Sequence, residues 1–412
     1  MSDPSSVTHV TIRQARTFLA VARNGSITAA AKSISRSQTS VTKVLQELEL
    51  QLSASLFDRS SKGVTPTAFG KAFEIGALGA EREFQAAAQL LPPAEVAGSP
   101  SIARFFRMDV SDKWLDSFLA TAEQQSLSGA AQDLAVTTTA ISANVRKLEE
   151  SLDRTLFERN PTAMLPTSFS RALIRHVKLA KSYLRHASEG VLSMRGVTTG
   201  EVRFGSLPFM RTRIVPHAIA MLRITHPYMR FSTYEGAYSE LVAALRCGDI
   251  DFMVGALRNV PDDYDLVEER LLDERISIIV RTGHPLQVQH AITWSDLIRY
   301  KWILPRPKTA SRILFDDMLV QYELTRPEHV VETSSTILLR GLLVEDDFVS
   351  IFSRSEIYYE EKYGILTTLD FDLPQAPRPI GITRRAHTSL PPAAELLIAT
   401  IRDAVHDSDQ AQ

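Results

Sequence analysis

Phe18-Leu19-Ala20-Val21-Ala22 recurs 100 positions later as Phe118-Leu119-Ala120-Thr121-Ala122. The register then holds without a gap. Ser26 matches Ser126, Ala30-Ala31 matches Ala130-Ala131, Leu48-Glu49 matches Leu148-Glu149, Leu56-Phe57 matches Leu156-Phe157, Arg59 matches Arg159, and Pro66-Thr67 matches Pro166-Thr167. About 17 of the 52 positions from Phe18 to Phe69 are identical, most of them apolar or small. A self-match at so long a period is a duplicated domain rather than a solenoid repeat.

Each copy reads as short helices separated by turns. In the first, Phe18, Leu19 and Ala22 mark a buried stripe, Asn24-Gly25 breaks that helix, and Ser26 is placed to cap the next. Ala29, Ala30 and Ala31 let that short helix sit close to a neighbour. After the polar break Ser35-Arg36-Ser37, the residues Val41, Leu45 and Leu48 recur at helical spacing. That spacing leaves Gln38, Thr39, Thr42, Lys43 and Gln46 facing outward. Arg59 through Val64 is a basic turn between β-type residues, which suits a small hairpin.

Two short helices followed by a basic hairpin make a winged helix-turn-helix. In that fold the outward side chains have a use on double-stranded DNA. Gln grips an adenine edge through two hydrogen bonds, Ser and Thr reach base edges, and Lys reaches guanine or phosphate. Arg59 and Lys62 in the wing neutralise phosphate without reading sequence. An ordinary three-helix bundle with a polar face is the competing reading. The ordered set of capping serine, alanine cluster, polar helix and basic turn, present twice, weighs against it.

Ser26-Ile27-Thr28-Ala29-Ala30-Ala31, Ser37-Gln38-Thr39-Ser40-Val41-Thr42-Lys43, Leu48-Glu49, Leu56-Phe57-Asp58-Arg59 and Val64-Thr65-Pro66-Thr67-Ala68-Phe69-Gly70 together resemble the DNA-binding domain of LysR-type transcriptional regulators. The resemblance implies DNA contacts from Ser26, Thr28, Ser37, Gln38, Thr39, Thr42, Lys43, Gln46, Arg59 and Lys62 in copy 1. The matching positions of copy 2 are Ser126, Thr137, Thr138, Ser142, Arg146 and Arg159. Copy 2 departs from the pattern: Thr137-Thr138-Thr139 replaces the Ser-Gln pair, Ala143 stands where copy 1 has Lys43, and Asn160-Pro161-Thr162-Ala163 removes the wing lysine. Arg146 adds a guanine reader. Copy 2 thus reads a different sequence, binds less tightly, or serves as scaffold. Members of the family ordinarily carry one such domain, so the tandem pair is a departure in itself.

Behind each wing runs an alternating four-three apolar seam. It is Phe73, Ala77, Ala80, Phe84, Ala87 and Leu91 in copy 1, and Leu173, Val177, Ala180, Leu184, Ala187 and Val191 in copy 2. This is the spacing of a coiled coil. The resemblance implies a linker helix that pairs two DNA-binding domains, normally from separate chains. Pairing within one chain would make a single polypeptide a pseudo-two-fold reader. Pairing across two chains, and packing of each helix on its own domain, are the alternatives. Leu91-Pro92-Pro93 through Ser99-Pro100-Ser101 is expected to be the connecting loop.

After Met194-Arg195-Gly196 and Thr198-Thr199-Gly200, a flexible joint, the pattern alternates strand and helix and argues a mainly parallel sheet with helices on both faces. Strands are expected near 201–205, 229–234 and 251–254, with helices between them. A second lobe begins near Ile276, and Val349-Ser350-Ile351-Phe352 is expected to return to the first. Gly248-Asp249-Ile250-Asp251-Phe252, Gly283-His284-Pro285-Leu286 and Trp302-Ile303-Leu304-Pro305 resemble the two-lobed, periplasmic-binding-protein-like effector domain of the same family. Val344-Glu345-Asp346-Asp347-Phe348 departs from it and places a carboxylate pair near an expected pocket edge. In such sheets ligands sit beyond the carboxyl ends of the strands. The effector contacts expected are Ser206, Leu207, Pro208, Gly236, Tyr238, Pro305, Arg306, Thr333 and Ser334. The 206–208 loop would offer a hydroxyl and free N–H groups to an anion, and Arg306 would grip a carboxylate.

The chain divides accordingly: 11–91 for copy 1 with its linker helix, 92–110 for the connection, 111–194 for copy 2, and 200–405 for the effector domain. Lobe 1 is expected at about 200–268 and 346–405, and lobe 2 at about 269–345. Charge follows the division. Residues 1–199 hold 23 Lys and Arg against 18 Asp and Glu, and the remainder holds 23 against 30. A basic front suits a polyanion, and an acidic rear reduces indiscriminate attachment to it.

Other classes fit poorly. Nucleophile-elbow, phosphate-loop and zinc-protease motifs are missing, and the ten histidines do not fall at metal-ligand spacing, so no enzyme, cofactor or metal is expected. A solute-binding protein would need export, and the start of the chain shows no secretory signal. An architectural DNA protein without effector control is a third possibility. The single cysteine excludes an internal disulfide, and no apolar run reaches the ~20 residues a membrane helix needs. The expectation is a cytoplasmic regulator whose partners are double-stranded DNA, a small-molecule effector, RNA polymerase and further copies of itself, as dimer or tetramer.

Overall fold

Three polar side chains start the first three helices. Thr11 forms a capping box with Gln14, while Ser26 and Ser37 each accept a backbone N–H three residues on. These bonds satisfy donors that a helix leaves open at its start. They open α1 (Ile12–Asn24), α2 (Ile27–Ser33) and α3 (Gln38–Gln51). The computed structural model describes residues 9–61, 63–160, 163–196, 200–258, 265–307, 309–373, 378–386 and 388–410. Strands β1 (Phe57–Ser60) and β2 (Gly63–Pro66) pair antiparallel as the wing, and α4 (Ala68–Ala88) follows.

The connection expected as a loop is helical. α5 (Pro93–Gly98) and α6 (Pro100–Phe106) each begin on a proline, at the position where a missing N–H costs nothing. Ile102, Phe105 and Phe106 are buried, with the Phe105 ring 5.5 Å from that of Phe84. The prolines end one helix and start the next, and the apolar residues between them anchor the connection to the core.

Copy 2 repeats the arrangement as α7 (Asp112–Gln124), α8 (Leu127–Asp133), α9 (Thr138–Leu152), β3 (Phe157–Asn160), β4 (Ala163–Pro166) and α10 (Ser168–Ser193). The repeat extends to backbone conformations that L-residues seldom adopt. Ser35 and Ala135 have φ of 55° and 50°, and Ser53 and Asp153 have 49° and 50°. Gly25 ends α1 at φ 59°, and Gln125 takes the same left-handed role at 48° without glycine's freedom. In both copies that residue's carbonyl accepts a wing N–H, from Val64 at 2.9 Å and from Met164 at 2.8 Å.

α4 and α10 pack on each other within the one chain. All twelve seam residues are buried, and one core runs through both copies and α6. Leu91, expected on the first linker helix, is buried just beyond its end. Equivalent positions exchange partners across the pair. Gly76 lies so close to Tyr183 that a Cβ there would stand 2.5 Å from its carbonyl oxygen, and His176 Nδ1 lies 2.8 Å from Glu83 Oε2. Position 76 meets 183 and position 176 meets 83, which is the signature of a two-fold axis.

The rear half opens with β5 (Glu201–Ser206), α11 (Pro208–Arg211), α12 (Ile214–Thr225), β6 (Arg230–Tyr234), α13 (Tyr238–Cys247), β7 (Phe252–Ala256) and β8 (Leu266–Glu274). A second lobe follows with β9 (Ile276–Arg281), α14 (Trp294–Ile298), β10 (Lys301–Leu304), α15 (Ala310–Gln321), β11 (Val330–Glu332), α16 (Thr336–Glu345), β12 (Phe348–Ser353), α17 (Tyr358–Lys362) and β13 (Leu366–Thr368). β14 (Arg378–Arg385) and α18 (Pro392–Gln410) rejoin the first lobe. The sheet orders are β6-β5-β7-β14-β8 and β11-β10-β12-β9-β13.

Two lobe assignments change. β12, expected to return to the first lobe, lies between β10 and β9 at the centre of the second sheet. Its Val349, Ser350, Ile351 and Phe352 are all buried, as a strand covered on both faces requires. β8 belongs to the first sheet through its pairing with β14, so the chain crosses between lobes at Arg275 rather than at 269. The Asp346-Asp347 pair precedes β12, opposite the strand end from which Pro305 departs, and is held by Lys301 and Arg281. It therefore does not edge the cleft.

Candidate nucleic-acid interface

The α3 core positions Val41, Val44, Leu45 and Leu48 dock the helix on its own domain. Thr39, Thr42, Lys43 and Gln46 then form one outward stripe at steps of three, one and three, partly or fully exposed. Gln38 is exposed in the first turn and accepts a 3.3 Å bond from Thr28 of α2, which joins the two helices at the start of that stripe. Lys43 lies 3.9 Å from Glu47 in a solvent-exposed pair, the weak kind of ion pair. Ser26 and Ser37 accept cap bonds through their Oγ atoms, which fixes where α2 and α3 begin. Arg59 is exposed on β1, whereas Lys62 lies outside the described residues.

Copy 2 presents the same geometry with different chemistry. Ser126 and Thr137 cap α8 and α9. Thr138 and Arg146 are exposed on α9 and Ser142 partly so, with Arg146 paired to Glu150 at 3.1 Å. Arg159 stands on β3 opposite Met164. The stripe Thr39-Thr42-Lys43-Gln46 is thus matched by Thr139-Ser142-Ala143-Arg146, and the one long cation sits a turn further along.

α10 faces two ways. One side meets α4, and the other docks on the first lobe through a buried ionic cluster that the sequence reading missed. Arg185 Nη2 and His186 Nε2 approach Asp251 Oδ1 at 2.7 and 2.8 Å, and the Arg203 backbone N–H donates to its other oxygen at 3.0 Å. The Arg185 charge and the hydrogen bonds from His186 and Arg203 hold Asp251 well below the usual carboxylate range against its burial, while burial lowers the pKa of His186 itself. Glu189, one turn further along α10, has both carboxylate oxygens buried without a hydrogen-bond partner, and burial pushes it up to about 7. Asp251 follows the Gly248-Asp249 turn noted in the sequence, but its partner 65 positions earlier left no local signal.

The expected effector residues fall into two groups. In the first lobe Ser206 ends β5 and is buried, Gly236 precedes α13, and Tyr238 opens it. Leu207 and Tyr238 pack on one small cluster, and the Arg258 guanidinium lies 4.4 Å from the Tyr238 ring centre. In the second lobe Pro305 and Arg306 leave β10 and Thr333 and Ser334 leave β11, joined by the Thr333 N–H donating to the Leu304 carbonyl at 3.0 Å. Both groups stand at carboxyl ends of strands. One detail is corrected: the Leu207 N–H donates to Val254 at 2.9 Å and Pro208 has none, so the start of that loop offers an anion no free N–H. Two contacts link the lobes nearby. Thr212 Oγ1 lies 3.4 Å from the Glu356 carbonyl, and Arg213 lies 4.3 Å from the Tyr358 ring centre.

Family models describing the bacterial regulatory helix-turn-helix protein of the lysR family match residues 12–71 and again 113–171, and the LysR substrate binding domain matches 195–406. The chain is 33% identical over 396 residues to the HTH-type transcriptional regulator GalR of Pseudomonas putida, covering 96% of this chain and 97% of that one. It is 27% identical over 290 residues to the regulator PcaQ of Agrobacterium fabrum, covering 70% of this chain and 93% of that one. Among solved structures, a full-length OxyR variant from Pseudomonas aeruginosa aligns at TM-score 0.52 and 23% identity, over 71% of this chain and 95% of that one. CbnR, a LysR family transcriptional regulator, aligns at 0.50 and 18%, over 72% and 99%. The PcaQ match is shorter than the GalR match by about the length of one front copy.

Proposed function

This chain belongs to the LysR family of transcriptional regulators, which bind DNA and small-molecule effectors and work as oligomers, and on that premise we propose that one polypeptide supplies both reading heads of a DNA site. The observation that carries the proposal is the exchange of partners across α4 and α10, where 76 meets 183 and 176 meets 83. Two heads related by a two-fold axis present their helices to successive turns of one duplex face.

In this reading Gln38, Thr39, Thr42, Lys43 and Gln46 contact bases of one half-site, and Thr138, Ser142 and Arg146 contact bases of the other. Arg59 and Arg159 hold phosphates beside them. Since the two helices carry different side chains, the half-sites differ. Selection from a random duplex pool tests this. Two unlike half-sites at a fixed spacing are expected, whereas a palindrome, or no enrichment, contradicts it.

The effector domain acts through α10. An effector that prefers one arrangement of the lobes shifts the equilibrium of whatever α10 holds. The cleft site comprises Ser206, Leu207, Pro208, Gly236 and Tyr238 facing Pro305, Arg306, Thr333 and Ser334. An anionic metabolite is the class that Arg306 suits. Regulation rather than catalysis is its role, and the cytoplasm its place; among the described residues no helix is long and apolar enough to cross a membrane.

A further inference from the structure

Building on the DNA-reading role, the geometry points to an additional phosphate-binding site on copy 1 alone, in the crevice between α1 and the start of α3, where a backbone phosphate of the same DNA sits. Arg13, Arg16, Thr17, Arg36 and Ser40 line this shallow, solvent-open crevice, together with apolar side chains. One carboxylate is shared by three guanidiniums. Asp109 Oδ1 lies 2.9 Å from both Arg16 and Arg36, and its Oδ2 accepts from Arg104 Nε at 2.9 Å. Arg107 adds its charge nearby. Guanidiniums in excess of their counter-ion repel one another at a half-buried site, and a second anion relieves that repulsion. Burial and these neighbouring cations hold Arg16 below the ordinary arginine range despite Asp109.

Position selects the anion. Arg13 Nη2 donates to Ser40 Oγ at 3.3 Å, and Arg36 immediately precedes the Ser37 cap, so the cluster flanks the first turn of the reading helix. The start of that 14-residue helix carries the positive end of its dipole, which adds to the attraction for an anion. Guanidinium forks match phosphate oxygens pairwise. At the matching places of copy 2 stand Lys113, Asp116, Val136 and Ala140, with Asp116 paired to Lys181. The second head therefore lacks the site, and copy 1 is the tighter phosphate anchor.

The test measures binding of the full chain to duplex DNA from immediately upstream of its gene, across a salt series, with melting temperatures for each variant. Arg36→Gln is expected to reduce the slope of log K against log salt by about 0.9, the value of one lost phosphate contact. Arg36→Lys is expected to keep most of it, and Val136→Gln in copy 2 to leave it unchanged. Arg13→Gln, which removes a crevice guanidinium whose partner in the free protein is the exposed Ser40 hydroxyl, repeats the measurement should Arg36→Gln melt early. Equal slopes for Arg13→Gln, Arg36→Gln and the parent overturn the inference, leaving Asp109 a strap for the connection. Equal slopes combined with a melting temperature raised by inorganic phosphate in the parent, but not in Arg36→Gln, assign the crevice to a free anion and overturn the DNA contact. A parent chain that binds no duplex refutes the DNA-reading role itself, a distinct failure.

Discussion

Asp112 Oδ1 accepts the Ile12 backbone N–H at 3.0 Å. The two residues hold equivalent places in the two copies, 100 positions apart, and equivalent places touch only where the axis relating them passes. The contact is also asymmetric in chemistry. A carboxylate from copy 2 caps the first helix of copy 1, and an isoleucine stands in its place on the other side. The pair fixes the axis and records that the halves have diverged.

Removing that carboxylate should weaken the join between copies. Asp112→Ala is expected to cost about 1–2 kcal/mol in urea unfolding, the usual value of a lost helix cap. Asp112→Asn keeps an acceptor and should cost much less. Burial already pushes the Asp112 carboxyl up, so a neutral side chain suits the site. Equal losses for the two variants would show that the bond contributes little.

The linker pair depends on close approach at Gly76. A Cβ there would lie 2.5 Å from the Tyr183 carbonyl oxygen and 2.6 Å from the Ala187 Cβ. Gly76→Val is expected to destabilise by about 1–3 kcal/mol through overpacking. Gly190→Ala in α10, with nothing within 4 Å, should instead stabilise by up to about 1 kcal/mol. Comparable melting temperatures for the two variants would contradict the tight pairing.

Much of this was legible in the sequence, and the boundary of legibility is physical. Ser26, Gly25 and the Val41-Leu45-Leu48 stripe each act locally, so spacing revealed the first reading head. The duplication was visible because identity survives at buried places such as Phe18 and Leu56. What could not be read depends on distant partners. Gly76 looked like any helical glycine until Tyr183 lay against it, and Arg185 and His186 acquired meaning only beside Asp251. β12 reads as a generic apolar strand, and only its hydrogen-bonded neighbours assign it to the second lobe.

Glu189 makes the docking of α10 on the effector domain sensitive to pH. Its carboxyl is raised from 4.5 to about 7, so the folded state holds the proton more tightly than the unfolded one. The resulting stability is complete below about pH 4.5 and is lost as pH rises through about 7. Arg185, at 3.5 Å, offsets only part of the burial, since it also serves Asp251. Glu189→Gln should therefore match the parent at low pH and exceed it above pH 7, by roughly 3 kcal/mol at most. A constant difference between the two unfolding profiles would refute this origin.

The two reading helices should fail separately. Lys43→Ala and Arg146→Ala are each expected to relax preference at a different base position by about 1–3 kcal/mol, in competition assays with single-base variants of the selected site. Arg146→Ala leaving every preference intact would make copy 2 a scaffold.

The central claim is that a single chain carries a complete two-headed reader. Hydroxyl-radical footprinting at chain concentrations where sedimentation shows only monomer tests it most directly. The expected result is protection of two adjacent turns on one duplex face, with Lys43→Ala and Arg146→Ala each thinning a different half. Protection that covers one turn, and extends to two only when a second chain joins, would contradict it.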